Sequence, residues 1–249
     1  MLKEQMNVTA AIVRTYNFSG IGEFVQKLLH FGIRHVIVVV PRDQDNGVTA
    51  PIIATFDSAR VHLVERSFEK GGRAWSAMLN AGLDYIEGRF RADFDDFIDY
   101  VLMVSNTVLL EAEHLEALYA AMSPGVVVAG ASFKGVGKQG EDVPLGPSYN
   151  HHFRNTLALY QATAFQGTLA GFDEVFDGAG GMEDLAWKLM FEGLTPTDCA
   201  ARVVENVVEV PLLVHTHRTP VQQAEYEALL EEGMKAAEEH VAWFFRERD

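Results

Sequence analysis

The chain has 249 residues, with 20 Lys and Arg against 35 Asp and Glu, a formal net charge of −15 that argues against a protein tracking nucleic-acid phosphates. Its 48 % hydrophobic content excludes a disordered chain, and its single cysteine, Cys199, excludes an intramolecular disulfide framework and any multi-cysteine metal cage. No apolar run reaches the roughly 18 residues of a membrane span and the N-terminal stretch lacks a signal-peptide pattern, so a cytoplasmic protein with no membrane span is expected.

Strand-like and helix-like segments alternate along the chain. Val8–Val13 is a short apolar run that predicts a strand. Ile21, Phe24, Val25, Leu28 and Leu29 then share one helix face, with Ser19 as the expected N-cap and Gly32 as the stop. Val36–Val40 is an unbroken Val/Ile run, as in a parallel strand buried on both faces. Asp43–Gly47 reads as a loop and Val61–Glu65 as a strand. A helix carrying Trp75, Met78, Leu79, Leu83 and Ile86 precedes a strand at Tyr100–Val104. A helix bearing Leu115, Leu118, Tyr119 and Met122 leads to a strand at Gly125–Ala131. This βαβαβ order predicts an α/β fold with a Rossmann-like, mainly parallel central sheet flanked by helices.

Beyond residue 131 the pattern changes. Lys134–Ser148 is dense in Gly and Pro and predicts a long binding loop, expected to act as a lid as far as Asn155. A short helix begins near Glu183, and Arg202–Val210 reads as one strand. Residues 221–247 predict a long helix with Leu230, Met234, Ala237, Val241 and Phe244 on one stripe. That stripe fits packing on the core, with a homo-oligomer seam as the alternative. The expected division is one domain over 1–219, split into 7–131 and 132–219, followed by a C-terminal helix at 220–249.

Three groups of residues carry chemistry. Thr15, Tyr16 and Asn17 follow the first strand, and ligands in open α/β sheets bind outside the carboxyl ends of strands. Lys70, Gly71 and Arg73 precede the Trp75 helix, where glycines, positive charge and a helix N-terminus suit an anion such as a diphosphate, or else form a plain cap. Gly171-Phe172-Asp173-Glu174 is followed by Glu183 and Asp184 in the first turn of a helix. Those two acids either complement the helix dipole or supply a general base to a cleft.

Together these segments resemble the family 2 glycosyltransferases over roughly residues 7–217. Ile12–Asn17 matches a strand ending in Thr-x-Asn. Gly71 through Ala77, Asn80 and Gly82 echo an Asn-x-Gly-x-x-x-Ala-x-Asn-x-Gly stretch. Gly171–Glu174, Glu183, Asp184, Leu185, Leu189 and Gly193 match the acceptor half in order and spacing. The resemblance implies the GT-A nucleotide-diphospho-sugar transferase fold. It implies sugar transfer from a nucleotide-diphospho-sugar donor to a sugar, lipid or other hydroxyl acceptor, inverting at the anomeric carbon. Asp184 then acts as the base with Glu183 beside it, and Ser105 and Asn106 join the donor site.

The family's Asp-x-Asp pair, which holds Mg2+ or Mn2+, falls here on Val104 and Asn106, and neither is a carboxylate. Donor binding with little or no metal dependence is therefore expected, with His215 and His217 as the remaining candidate ligands. The acidic run after the second strand is altered, leaving Asp43 or Asp45 to meet the base or ribose, and the family's helix Arg is Lys188. Two further readings stand beside the transferase: a catalytically reduced binding or regulatory module on the same fold, and a nucleotidyltransferase. The second normally has a basic Gly-rich N-terminal loop, and Arg14–Gly20 has a single basic residue.

Overall fold

The computed structural model describes residues 2–15, 18–45, 47–68, 74–90, 97–145, 154–165, 171–177, 182–194, 202–214 and 220–247. Nine strands occur among them: β1 Thr9–Arg14, β2 His35–Pro41, β3 Val61–Arg66, β4 Tyr100–Ser105, β5 Val126–Gly130, β6 Ser132–Val136, β7 Leu157–Gln161, β8 Arg202–Val204 and β9 Glu209–Leu213. The helices are α1 Leu2–Met6, α2 Ile21–Phe31, α3 Arg42–Asp45, α4 Thr49–Ile53, α5 Trp75–Phe90, α6 Ala112–Ala121, α7 Met182–Leu194 and α8 Pro220–Arg246. A seven-stranded sheet runs β3-β2-β1-β4-β7-β5-β8, and β6 and β9 form a separate parallel pair. Within the large sheet only β7 runs antiparallel to its neighbours β4 and β5.

Hydrophobic patterning accounts for this architecture. Every residue of β1 and β2 is buried, so these strands need helices on both faces. Successive side chains alternate across the sheet. Ala11 and Val13 meet Leu28, Leu102 and Leu115 beneath α2 and α6. Ala10 and Ile12 meet Met78, Leu79, Met103, Tyr160 and Trp187 beneath α5 and α7. Each fully buried Leu, Ile, Val or Met contributes about 1.5–3 kcal/mol relative to exposure. Gly82 lets α5 approach β1, because a Cβ there would stand 2.6 Å from Ile12 Cγ2. Among the described residues no helix is long and apolar enough to cross a membrane.

Several local expectations need correction. The residue before α2 in the cap position is Gly20, while Ser19 lies in a preceding 3-10 turn; Gly32 ends α2 in the left-handed region at φ 99. Asp43–Gly47 is not simply a loop, since Arg42–Asp45 forms the helical turn α3. The expected loop starting at Lys134 begins as β6, and Val143 N donates to Gly135 O at 3.0 Å. Its far end is also built in, with Arg154 and Asn155 fully buried, while 146–153 lies outside the described residues. Arg202–Val210 is two strands in two sheets, separated by a turn with Asn206 at φ 53. On α8, Leu230 and Ala237 are buried as the stripe requires, but Met234 is exposed.

Candidate functional site

The strand order reverses beside β1: β2 and β3 lie to one side and β4 to the other. Such a switch point leaves a crevice at the carboxyl ends, because the connections leave in opposite directions. The ends of β1, β2 and β4 are tied together there. Arg14 pairs in register with Ser105, Asn106 N donates to Arg14 O at 3.3 Å, and Thr15 N donates to Val39 O at 3.4 Å. Thr15, Ser105 and Asn106 thus meet at one edge. Thr15 is 1 % exposed, and its Oγ1 has no hydrogen-bond partner among the described residues. Ser105 Oγ lies 2.8 Å from Thr107 Oγ1, and Ser105 N donates to Thr156 O at 2.9 Å. At the amino ends of β2 and β3, by contrast, rings fill the space: His35 packs 4.2 Å from Phe90, and His62 Nδ1 lies 3.0 Å from Tyr85 Oη.

The two acidic candidates after β2 have different fates. Asp45 is buried, and its carboxylate accepts from Thr49 N at 3.0 and 3.1 Å and from the Thr49 hydroxyl. It is committed to holding the start of α4, so the expectation that it meets a base or ribose is corrected. Asp43 remains exposed on α3, directly after β2, with Ser67 Oγ donating to it at 3.3 Å.

The start of α5 is also altered from expectation. Asp177 accepts from Ser76 N at 2.6 Å and from Ala77 N at 3.3 Å. A carboxylate of the protein itself therefore takes two first-turn amides that were expected to face a diphosphate. Burial raises the Asp177 pKa above the ordinary carboxylate value; Glu174 adds to this, and the Ser76 and Ala77 bonds oppose it. Lys70, Gly71 and Arg73 lie outside the described residues, as do Tyr16, Asn17, His215 and His217. Glu183 and Asp184 follow Met182 in the first turn of α7, as the spacing predicts. Lys188 is paired with Glu205, so it points to the strand edge after β8.

The residues present do not fit a divalent cation at the carboxyl end of β4. Val104 is fully buried and apolar, Ser105 Oγ is engaged by Thr107, and Asp45 is spent on α4. Among the described residues no group of three His, Cys, Asp or Glu is placed to hold a metal.

Sequence reasoning missed two cations at this edge. Arg14 is 3 % exposed, with its guanidinium 5.7 Å from the centre of the Trp75 ring. Arg154 is 1 % exposed and lies just before β7. A charged residue closing an otherwise apolar strand was the available signal for Arg14; Arg154 gave none, because β7 itself went unread. Compared with known proteins, the chain matches no protein-family model, and no curated protein resembles it closely enough in sequence to count as a relative.

Proposed function

We propose that the chain is a glycosyltransferase of the GT-A fold that moves a sugar from a nucleotide-diphospho-sugar to an acceptor hydroxyl. One observation carries the reading: the strand order reverses between β1 and β4, and Thr15, Ser105 and Asn106 stand at the carboxyl ends of those two strands. Thr15 is expected at the donor from its place at a strand end, and Ser105 and Asn106 from the sequence resemblance. The nucleotide lies along this edge, with Asp43 at the end of β2 reaching the base or ribose. Asp184, in the first turn of α7, takes the proton from the acceptor hydroxyl. The freed oxygen attacks the anomeric carbon from the face opposite the diphosphate. The carbon–oxygen bond to the diphosphate breaks, and configuration inverts. Lys70 and Arg73 offset the charge that develops on the leaving group, as fixed cations near a developing anion do. No step is routed through a metal, since the side chains at the end of β4 do not suit one.

The burial of Val104, at a position where the family that the sequence resembles carries a carboxylate, favours a second reading, a binding or regulatory module that retains the fold. A transfer and hydrolysis assay separates the two. UDP-, GDP- and dTDP-sugars are offered with Mg2+, with Mn2+ and with EDTA. Transfer of any sugar supports the enzyme. Binding of a donor without turnover supports the module, and no binding of any donor removes both.

A further inference from the structure

The segment Gly171–Asp177 stands between three helices and is fastened to each. Towards α5, the Asn80 side-chain amide donates to Phe172 O at 2.8 Å and accepts from Phe172 N at 2.8 Å. The same nitrogen lies 3.0 Å from Glu174 Oε1. Gly171 is needed for this approach, because a Cβ there would stand 2.6 Å from Asn80 Oδ1. Four residues beyond Phe172 the Asp177 carboxylate's neighbour Phe176 is buried, and Asp177 itself closes the first turn of α5. Towards α7, the Phe172 ring packs 5.8 Å from Trp187, and Phe176 clusters with Ala186. Towards α8, Phe176 meets Leu230 and Ala237, and His240 Nε2 lies 2.6 Å from Asp173 Oδ2.

A backbone held at both its N–H and its C=O by one amide cannot slide without losing both bonds. Asp177 adds a second fixed point on the same helix. The segment therefore fixes α5, on the donor side, against α7, which carries Asp184. We propose that Asn80 and Asp177 are positioning residues for transfer: they set where α7 stands relative to the β1–β4 edge. The proposal rests on the transferase reading above. Neither residue touches the reacting atoms. Their effect comes from geometry, since displacement requires reacting atoms about 3–3.5 Å apart, and a misplacement of about 1 Å costs about 10²-fold in rate.

The test compares the parent with Asn80→Ala, Asn80→Asp and Asp177→Asn. Ile53→Val, on the opposite face of the sheet, serves as a mildly destabilised control. Melting temperature, donor affinity by calorimetry with the nucleotide-diphospho-sugar that the parent uses, and kcat are measured for each. The expected result is a kcat fall of about 10²-fold in Asn80→Ala, with donor Kd unchanged. Asn80→Asp should lose rate as well: it still accepts from Phe172 N–H but sets a carboxylate oxygen against Phe172 O and Glu174 Oε1. Ile53→Val should keep the full kcat despite its lower melting temperature. A folded Asn80→Ala with parental kcat overturns the proposal, as does a loss that merely follows the folded fraction. If Asn80→Ala does not fold, Asp177→Asn is judged by the same criteria, since it retains one of the two amide bonds. A parent that transfers from no donor overturns the transferase reading and this proposal with it. A parent that transfers no faster than its variants overturns this proposal alone.

Discussion

Residues 7–131 and residues 132–219 build one sheet by different rules. In the first half, β1 to β4 pair in parallel with β1 and β2 buried along their whole length, while β5 joins the sheet only through strands of the second half. In the second half, β7 enters antiparallel between β4 and β5, β8 adds to the outer edge of β5, and β6 leaves to pair with β9. The difference teaches where each kind of information resides. Local apolar runs mark the buried strands β1 and β2 of the first half, whereas the second half, buried at β7, Phe172 and Trp187, is also tied to the first by polar fastenings. Asn80 to Phe172, Asp177 to Ser76 and Ser105 to Thr156 are such fastenings.

The largest effect should come from chemistry carried by the second half. Asp184→Asn is expected to lower transfer by about 10²–10⁴-fold with donor binding nearly unchanged. Glu183→Gln should do less. Transfer at the parental rate by Asp184→Asn would remove chemistry from α7 and dissolve the contrast.

Stability should divide along the same line. Ile12 is fully buried between β1's neighbours and Gly82, so Ile12→Ala should cost about 2–5 kcal/mol in urea unfolding. Tyr160→Phe in β7 removes the hydroxyl that donates to Asn155, and should cost about 0.5–1.5 kcal/mol through the loss of this buried hydrogen bond. A larger loss at Tyr160 than at Ile12 would reverse the assignment of roles.

A smaller effect follows from Asp177. Its pKa is raised in the folded protein, mainly by burial, so the native state binds more protons than the unfolded chain between the ordinary carboxylate value and the raised one. Stability then falls as pH rises through that window and levels off above it. Asp177→Asn should lack this component. Urea titrations at stepped pH check it; identical pH slopes for parent and variant would contradict it. The smallest effect expected is from EDTA, which should leave nucleotide-sugar affinity unchanged because the residues at the end of β4 offer a cation no carboxylate pair.

The legible part of this fold is where a continuous apolar run or a helical period marks burial locally. The Val36–Val40 run and the Ile21–Leu29 periodicity led directly to β2 and α2. The Leu157–Gln161 strand escaped because Leu-Ala-Leu-Tyr-Gln is only five residues long and follows a stretch read as one long loop. Arg202–Val210 looked continuous because the turn at Asn206 interrupts a Val-rich stretch without Gly or Pro. At the site, Thr15, Ser105 and Asn106 could be placed because strand ends follow from strands. Asp43 and Asp45 could not be told apart: their roles diverge through Thr49, whose amide and hydroxyl claim Asp45. Asp177 could not be foreseen as the cap of α5, because its partners lie 100 or 101 residues away along the chain.

The central claim is that a nucleotide-diphospho-sugar binds at the carboxyl ends of β1 and β4. A crystal structure of the full chain soaked with UDP-, GDP- and dTDP-sugars in the presence of EDTA tests it most directly. The account predicts a nucleoside diphosphate lying across Thr15, Ser105 and Asn106, with the sugar directed towards the first turn of α7. A nucleotide bound elsewhere on the molecule, or none bound from any donor at saturating concentration, would contradict it.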